Sequence, residues 1–264
     1  MAAKTRLDRE LVRRGLARSR EHAQALVGSG RVRVGGLIAT KAATAVDSAT
    51  SVAVEESAGP DYVSRGGDKL AGALDAFGGP PIAGKRCLDV GASTGGFTDV
   101  LLRRGAREIV AVDVGYGQLA WKLRMDERIR VLERTNARTL TSADIGGLVD
   151  VAVGDLSFIS LGVVLPALAE CVQPGGDMVL LVKPQFEAGR SEVGRGGVVK
   201  DPAVRAGAVR SIARAALGLG WGSAGVVASP LPGPAGNVEF FLWLRRDAGS
   251  LDEDALAAAT GATP

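Results

Sequence analysis

Three places along the chain carry residue types and spacings that could do chemistry. The first is the small-residue turn Gly91-Ala92-Ser93-Thr94-Gly95-Gly96, which follows the apolar run Cys87-Leu88-Asp89-Val90 and leads into Phe97. A buried strand, a glycine turn and a helix start bring backbone N–H groups and a helix N-terminus to one point, which suits a nucleotide-like ligand. The turn reads Gly-x-Ser-x-Gly-Gly, so it lacks the middle glycine through which a dinucleotide's pyrophosphate approaches the backbone. The second place is Asp113, 22 residues after Gly91, where a carboxylate would accept from a pair of ribose hydroxyls. The third is Asp155, in the run Asp155-Leu156-Ser157-Phe158 after another apolar segment. Ligands of open α/β sheets gather outside the carboxyl ends of the strands, so Gly91, Asp113 and Asp155 are expected to share a pocket for a nucleoside-type cofactor. Each alone has a plain alternative as a tight turn or a helix cap.

To share a pocket these residues need a sheet beneath them. From residue 86 short apolar strands (86–90, 109–114, 129–132, 149–153, 177–183, 224–227 and 238–244) alternate with helical patterns (97–104, 118–123, 161–171 and 203–217). That alternation predicts a doubly wound, mostly parallel α/β sheet. No helix separates the last two strands, so they should pair antiparallel and leave one strand reversed. Ahead of the sheet, Ser64 can cap a helix with Leu70, Ala73, Leu74 and Phe77 on its apolar face. Lys69 falls off that stripe, as a solvated lysine would. Residues 184–200 are rich in glycine and charge and long for a structureless loop, which makes them a candidate lid. The stretch 247–264 reads as a flexible tail.

The N-terminal part has a different character. The chain's net charge is +3, but residues 1–41 carry ten Lys/Arg against three Asp/Glu, and the remainder carries 22 against 26. A basic module that meets a polyanion, joined to a roughly neutral body, fits this asymmetry. Thr5 with Asp8 suggests a capping box ahead of a helix with Leu7, Leu11 and Val12 on one face. Ser19 starts a second helix carrying Ala23, Leu26 and Val27, and Gly30 closes it. Arg31 to Val34 then alternates at period two, Gly35-Gly36 turns the chain, Leu37-Ile38 returns it, and 52–54 completes a small sheet. Two cysteines, Cys87 and Cys171, and one histidine, His22, offer neither a disulfide framework nor zinc-ligand spacing. No apolar run approaches the ~20 residues of a membrane span and no secretory leader is visible, which suggests a cytoplasmic protein without metal or membrane.

The sequence Arg6-Leu-Asp…Leu11-Val…Gly15-Leu-Ala-Arg-Ser-Arg20…Ala23…Leu26-Val…Gly30-Arg-Val-Arg-Val34 resembles an S4 RNA-binding domain. The glycine turn lacking the pyrophosphate glycine, with seven strands of which the last is reversed, resembles class I S-adenosylmethionine-dependent methyltransferases. The run Asp89 to Phe97, with Asp99, is similar to the FtsJ-like branch that methylates ribose 2′-hydroxyls. That branch carries a Lys-Asp-Lys-Glu tetrad, and Lys69, Asp155, Lys183 and Glu239 fill its positions on the matching elements. With the S4 domain in front, residues 5–245 resemble the TlyA family of ribosomal RNA 2′-O-methyltransferases, whose members are also called haemolysins.

The resemblance implies S-adenosylmethionine held by Gly91, Ala92, Ser93, Thr94, Gly95, Gly96, Phe97, Asp113, Val114 and Asp155. It implies catalysis by the four tetrad residues and RNA contacts through Arg6, Arg18, Arg20, Lys41, Arg65, Tyr116, Arg134 and Phe158. Phe158 would stack on a base turned out of its helix or, alternatively, sit in the core. The base is either lysine by residue type, and Lys183 is preferred because Asp155 would steer it. The expected organisation is an S4 domain over 1–58, a linker over 59–63 and a methyltransferase domain over 64–246. The expected partner is ribosomal RNA of both subunits, with cytidine as the target and the protein acting as a monomer. A membrane-active haemolysin and an inactive RNA-binding assembly factor are the alternatives.

Overall fold

A computed structural model describes residues 4–17, 19–28, 30–54, 61–189, 192–194, 196–233 and 235–262. The chain divides into two compact units after Arg65.

The first unit holds β1 (Thr5–Arg6), α1 (Leu7–Arg13), α2 (Arg20–Gly28), β2 (Val32–Val34), β3 (Leu37–Ile38), β4 (Ala45–Val46) and β5 (Val52–Val54). β2 pairs antiparallel with β3 and β5, and β1 pairs antiparallel with β4. Leu7, Leu11, Ala23, Leu26, Val27, Val32 and Val46 close the core. The Thr5–Asp8 capping box does not form. Thr5 is paired with Val46 in β1, the helix starts at Leu7, and the Asp8 carboxylate turns to Arg6 instead.

The second unit runs α3 (Arg65–Phe77), β6 (Arg86–Val90), α4 (Gly96–Arg103), β7 (Glu108–Val112), α5 (Trp121–Arg124), β8 (Ile129–Leu132), β9 (Val149–Gly154) and α6 (Leu161–Cys171). It continues with β10 (Val172–Val182), α7 (Pro184–Glu187), α8 (Pro202–Gly218), β11 (Gly222–Ala228), β12 (Phe240–Arg245) and α9 (Glu253–Thr260). Its seven strands lie in the order β11-β12-β10-β9-β6-β7-β8. β10 to β9, β9 to β6, β6 to β7 and β7 to β8 are parallel, and β12 lies antiparallel between β10 and β11. This is a doubly wound α/β sheet with one reversed strand.

Three local expectations change. β10 begins at Val172 rather than 177, because Val172 pairs with Val149 and an irregularity around Gly175-Gly176 carries the chain on to Asp177. α5 is only four residues long, and Gln118, ahead of it, serves a cavity instead. The stretch read as a flexible tail contains α9, capped by the Asp252 side chain and anchored by buried Leu256.

Register places the functional ends. Val90 stands beside both Val112 and Gly154, and Gly154 stands beside Leu180. The residues leaving these strands are Gly91, Asp113, Asp155 and, at the end of β10, Lys183. Val182 pairs with Phe240 on the reversed strand, so Glu239 enters the sheet at the same edge that Lys183 leaves.

Candidate active site

Two neighbouring cavities open at the carboxyl ends of the strands. The first, of ≈ 320 Å³, is lined by Gly91, Ser93, Asp113, Val114, Gln118 and Asp155 among others. The second, of ≈ 340 Å³, is lined by Lys183, Gln185, Phe186, Asn237 and Glu239. Both fall within the ~300–1,000 Å³ of small-molecule sites, and Ser157 and Phe158 line both.

The glycine turn builds the first cavity in an unexpected way. Its N–H groups do not form an open anion cradle. Gly91 and Ala92 donate to the Val112 carbonyl at 2.9 and 3.1 Å, Gly95 donates to Ala92, and Ser93 donates to Asp113 Oδ2 at 2.8 Å. A turn that commits four of its N–H groups to protein acceptors suits an uncharged nucleoside better than a pyrophosphate. Gly91 (φ +80°) needs to be glycine, because a Cβ there would lie 2.6 Å from the Asp155 carbonyl oxygen. That approach locks the turn to the loop that carries Asp155. Gly95 (φ +95°) caps α4 in the left-handed region, where a Cβ would lie 2.4 Å from Leu123.

Asp113 accepts from Ser93 and, through Oδ1, from Gly115 N–H at 2.7 Å. Each carboxylate oxygen keeps lone-pair capacity toward the cavity. The cavity thus gathers Gly91, Ser93, Asp113, Val114 and Asp155 from the expected cofactor set. The other members serve it indirectly. Ala92, Gly95 and Gly96 are buried in the turn, and the Thr94 carbonyl accepts from Ala120. Phe97 packs in the core, its ring 5.9 Å from that of Phe241.

Beneath the turn, Asp89 is fully buried. Its Oδ2 accepts from the Thr98 hydroxyl at 2.6 Å, and its Oδ1 has no partner. Burial pushes this carboxyl up to about 7 against the lowering effect of Thr98, and the Asp155 and Asp113 charges push the same way. An unfolded aspartate titrates near ~3.9, so the fold holds the proton more tightly than the unfolded chain does. The stabilisation is therefore complete below about pH 4 and is lost as the pH rises towards 7, by on the order of 4 kcal/mol. Asp89→Asn should remove that slope. The gap between the urea midpoints of variant and wild type should widen from pH 5 to pH 8, and a constant gap would refute it.

The tetrad forms two ion pairs. Lys69 Nζ meets Glu239 Oε2 at 2.5 Å, with both side chains nearly inaccessible (4 % and 0 % exposed). Lys69 is thus buried on α3, not a solvated lysine. Glu239 Oε1 has no hydrogen-bond partner, and Gly233 makes room for it, since a Cβ there would stand 2.5 Å away. Lys183 Nζ meets Asp155 Oδ1 at 2.5 Å and donates to Ser157 Oγ at 2.8 Å. The Lys183–Asp155 pair spans the two cavities, Asp155 lining one and Lys183 the other.

The segment after Lys183 is tied down at both ends. Glu187 accepts from the Ser160 hydroxyl at 2.6 Å and from Leu161 N–H at 2.7 Å, which fixes α7 to the start of α6. Asn237 donates to the Gly197 carbonyl and accepts from Val199 N–H. Within the stretch read as a structureless lid, α7 is helical and 197–199 is pinned. Residues 190, 191 and 195 lie outside the described ones.

Left-handed backbone at non-glycine residues concentrates here. Among the described residues Ser93, Arg134 and Phe158 adopt it (φ +48°, +53° and +65°). Ser93 and Phe158 line the first cavity, and Arg134 precedes Thr135, which does too. Strain of this kind, on the order of 1–3 kcal/mol per residue, persists where a site requires it. Phe158 is 92 % exposed, so it is not core, and its ring stands 5.4 Å from that of Phe186. The Arg134 guanidinium lies over the exposed Tyr116 ring at 4.5 Å.

In the first unit, Asp8 and Glu10 are buried beneath the basic face. Asp8 accepts from Arg6 twice (3.1 and 2.8 Å), from Arg20 (3.3 Å) and from Gln24 (3.1 Å). The Arg6 guanidinium holds the Asp8 carboxyl well below the usual range, and Arg13, ahead of Arg14, lowers Glu10 to about 2. Arg6 and Arg20 keep nearly half of their side chains exposed, so oriented donors remain for phosphate oxygens. Arg14 is committed to the Asp47 and Thr50 carbonyls and is structural. Lys41 is exposed, Arg65 opens α3, and Arg18 lies outside the described residues.

Sequence reasoning missed Gln118, Ser157, Gln185, Phe186 and Asn237. Ser157 stands two residues after Asp155, and Gln185 and Phe186 stand two and three residues after Lys183. Their adjacency to those two residues was the available signal. Among the described residues no group of three or more His, Cys, Asp or Glu could hold a metal, and no helix is long and apolar enough to cross a membrane.

The mostly parallel seven-stranded sheet with its reversed strand, the glycine turn and the Lys/Asp/Lys/Glu set, of which Lys69, Lys183 and Glu239 are buried and Asp155 is partly exposed, accompany a methyltransferase match. Residues 62–246 match the FtsJ-like methyltransferase family and residues 5–52 match the S4 domain. The chain is 62 % identical over 245 residues to the 16S/23S rRNA (cytidine-2′-O)-methyltransferase TlyA of Mycobacterium tuberculosis, covering 93 % of this chain and 91 % of that one. It is 46 % identical to the "Putative rRNA methyltransferase YqxC" of Bacillus subtilis, covering 91 % and 85 %. The solved structure described as "Putative hemolysin from Streptococcus thermophilus" superposes with a TM-score of 0.77 at 38 % identity, covering 99 % of this chain and 98 % of that one. The chain belongs to the TlyA family of S4-containing, FtsJ-like methyltransferases.

Proposed function

We propose that the protein transfers a methyl group from S-adenosylmethionine to the ribose 2′-hydroxyl of cytidine in 16S and 23S ribosomal RNA. The observation that carries this reading is the Lys183–Asp155 pair at the junction of the two cavities. The first cavity fits the cofactor. Asp113 offers carboxylate lone pairs for hydroxyls, Gly91 leaves room at the turn, and Val114 gives an apolar wall. Bound there, S-adenosylmethionine supplies an electrophilic sulfonium methyl.

The protein's own groups do the rest. A ribose hydroxyl is a very weak acid, so it must be aimed and relieved of its proton as it attacks. Lys183, held by Asp155 and Ser157, is the group placed to receive that proton. Glu239, braced by Lys69, has a free acceptor oxygen with which to orient the nucleotide. Positioning of this kind contributes several kcal/mol. Phe158 stacks on the extruded base, and the arginines of the S4 unit grip phosphates. Boundaries near 58 and 64 separate the RNA-gripping part from the part that reacts.

Phe158→Ala should lower kcat/KM for RNA by about tenfold to a hundredfold, with a smaller change in cofactor affinity. An unchanged rate would remove Phe158 from the site. The reading as a whole is tested with methyl-labelled S-adenosylmethionine and purified ribosomal subunits. Label should enter the RNA of both subunits. Leakage of liposomes by the pure protein, with no label in RNA, would favour a membrane-active haemolysin instead.

A further inference from the structure

The basic face of the first unit is built around a carboxylate. Asp8 lies in the first turn of α1, and its side chain is shut off from solvent. Its Oδ2 accepts from Arg6 Nη2 at 2.8 Å, from Arg20 Nη2 at 3.3 Å and from Gln24 Nε2 at 3.1 Å. Its Oδ1 accepts from Arg6 Nε at 3.1 Å. Arg6 ends β1 and Arg20 opens α2, so one carboxylate gathers guanidinium groups from two separate elements. Because both Nη2 atoms meet the same oxygen, they lie no further apart than those two distances combined. Two cations that close would separate without the negative charge between them. Both side chains nevertheless stay open to solvent, at 44 % and 47 % exposed. Arg6 gives Asp8 two of the five N–H donors of its guanidinium and Arg20 gives one, which leaves each fork able to bind an oxyanion. Glu10, the other buried carboxylate of α1, differs in this respect. It holds Arg13 and Arg14, and Arg14 is tied to the Asp47 and Thr50 carbonyls, so that cluster braces the fold.

We infer that Asp8 clamps Arg6 and Arg20 into one site for a single phosphodiester of the RNA, so that an acidic side chain strengthens binding to a polyanion. This rests on the proposed function, and it names the residue that positions the phosphate-binding arginines there. A guanidinium meets phosphate oxygens through paired, charge-assisted bonds, and two of them held side by side can take two oxygens of one group. Ordering two long arginine side chains on binding costs conformational entropy, and Asp8 has already ordered them in the free protein. Bare electrostatics gives the opposite sign, since a carboxylate repels phosphate. The Arg6 guanidinium holds the Asp8 carboxyl well below the usual range, so the clamp keeps its charge at neutral pH.

The test measures the affinity of full-length protein for purified ribosomal subunits over a range of salt concentrations. Asp8→Asn should bind about tenfold more weakly at physiological salt, although it adds one unit of positive charge. Its plot of log affinity against log salt should be shallower by about one phosphate contact. Arg6→Ala, Arg20→Ala and the variant lacking both arginines should show that same change of slope, because they lose the same phosphate. In the background lacking both arginines, Asp8→Asn should have no further effect. Binding by Asp8→Asn at or above the wild-type level would overturn the clamp. So would an equal loss in the background lacking both arginines, because a merely structural carboxylate is missed with or without them. If circular dichroism shows Asp8→Asn unfolded, the arginine variants decide alone, and a slope change of two phosphates in the double variant overturns the shared site. Absence of salt-dependent binding by the wild type would overturn the underlying reading, and the assignment with it.

Discussion

Lys183→Ala is expected to abolish methyl transfer, by about 10²–10⁴-fold in the single-turnover rate, while cofactor affinity changes less than threefold. The reason is geometric. Lys183 Nζ is held between Asp155 and Ser157 at the junction of the two cavities, and its side chain is 9 % exposed, so water has little access to take its place. Asp155 lines the first cavity, proposed to hold the cofactor, and a lysine removed from the other side leaves that wall standing. Lys183→Arg separates charge from proton transfer, because a guanidinium keeps the positive charge but does not give up its proton near neutral pH. It should be nearly as inactive as Lys183→Ala. Retention of more than a tenth of the wild-type rate in Lys183→Arg would show that charge alone suffices and that the base lies elsewhere.

The second large effect concerns the other pair. Lys69→Met should destabilise the second unit by about 3–5 kcal/mol, because it leaves the Glu239 carboxylate buried without its counter-ion. Glu239→Leu should cost a similar amount for the mirror-image reason. The double variant should cost less than the sum of the two, since replacing a whole buried pair by apolar side chains leaves no orphaned charge. Urea unfolding followed by tryptophan fluorescence measures this selectively, because the three tryptophans, Trp121, Trp221 and Trp243, all lie in the second unit. Additive costs in the double variant would mean that the pair is not coupled. The double variant should also be inactive even where it is stable, which separates the pair's structural contribution from its proposed role in orienting the nucleotide.

How far the sequence discloses this site depends on how local each signal is. Gly91, Asp113 and Asp155 were legible because each follows a short apolar strand, and parallel register then forces the residues after Val90, Val112 and Gly154 to one edge. Lys69 and Glu239 were not legible by pattern. They lie 170 residues apart, and Lys69 looks like a solvated lysine until the fold carries α3 against β12's edge. Only the family resemblance joined them. Phe97 shows the limit of a motif, because its side chain packs beside Phe241 and does not line the first cavity. The loop after Asp155 and the single-turn α7 after Lys183 hide Ser157 and Gln185, because segments this short carry no periodicity. The length of β10 was missed because the Pro174-Gly175-Gly176 sequence looks like the end of a segment, whereas Val172 already pairs with β9.

Two ion pairs at the strand ends are proposed to direct a methyl group to a ribose hydroxyl and not to a base. The most direct measurement is nucleoside analysis of ribosomal RNA after incubation of unmethylated subunits with the protein and methyl-labelled S-adenosylmethionine. All of the label is predicted to elute as 2′-O-methylcytidine, with none in the same reaction run with Lys183→Ala. Label recovered as a base-methylated nucleoside, or 2′-O-methylcytidine formed undiminished by Lys183→Ala, would contradict it.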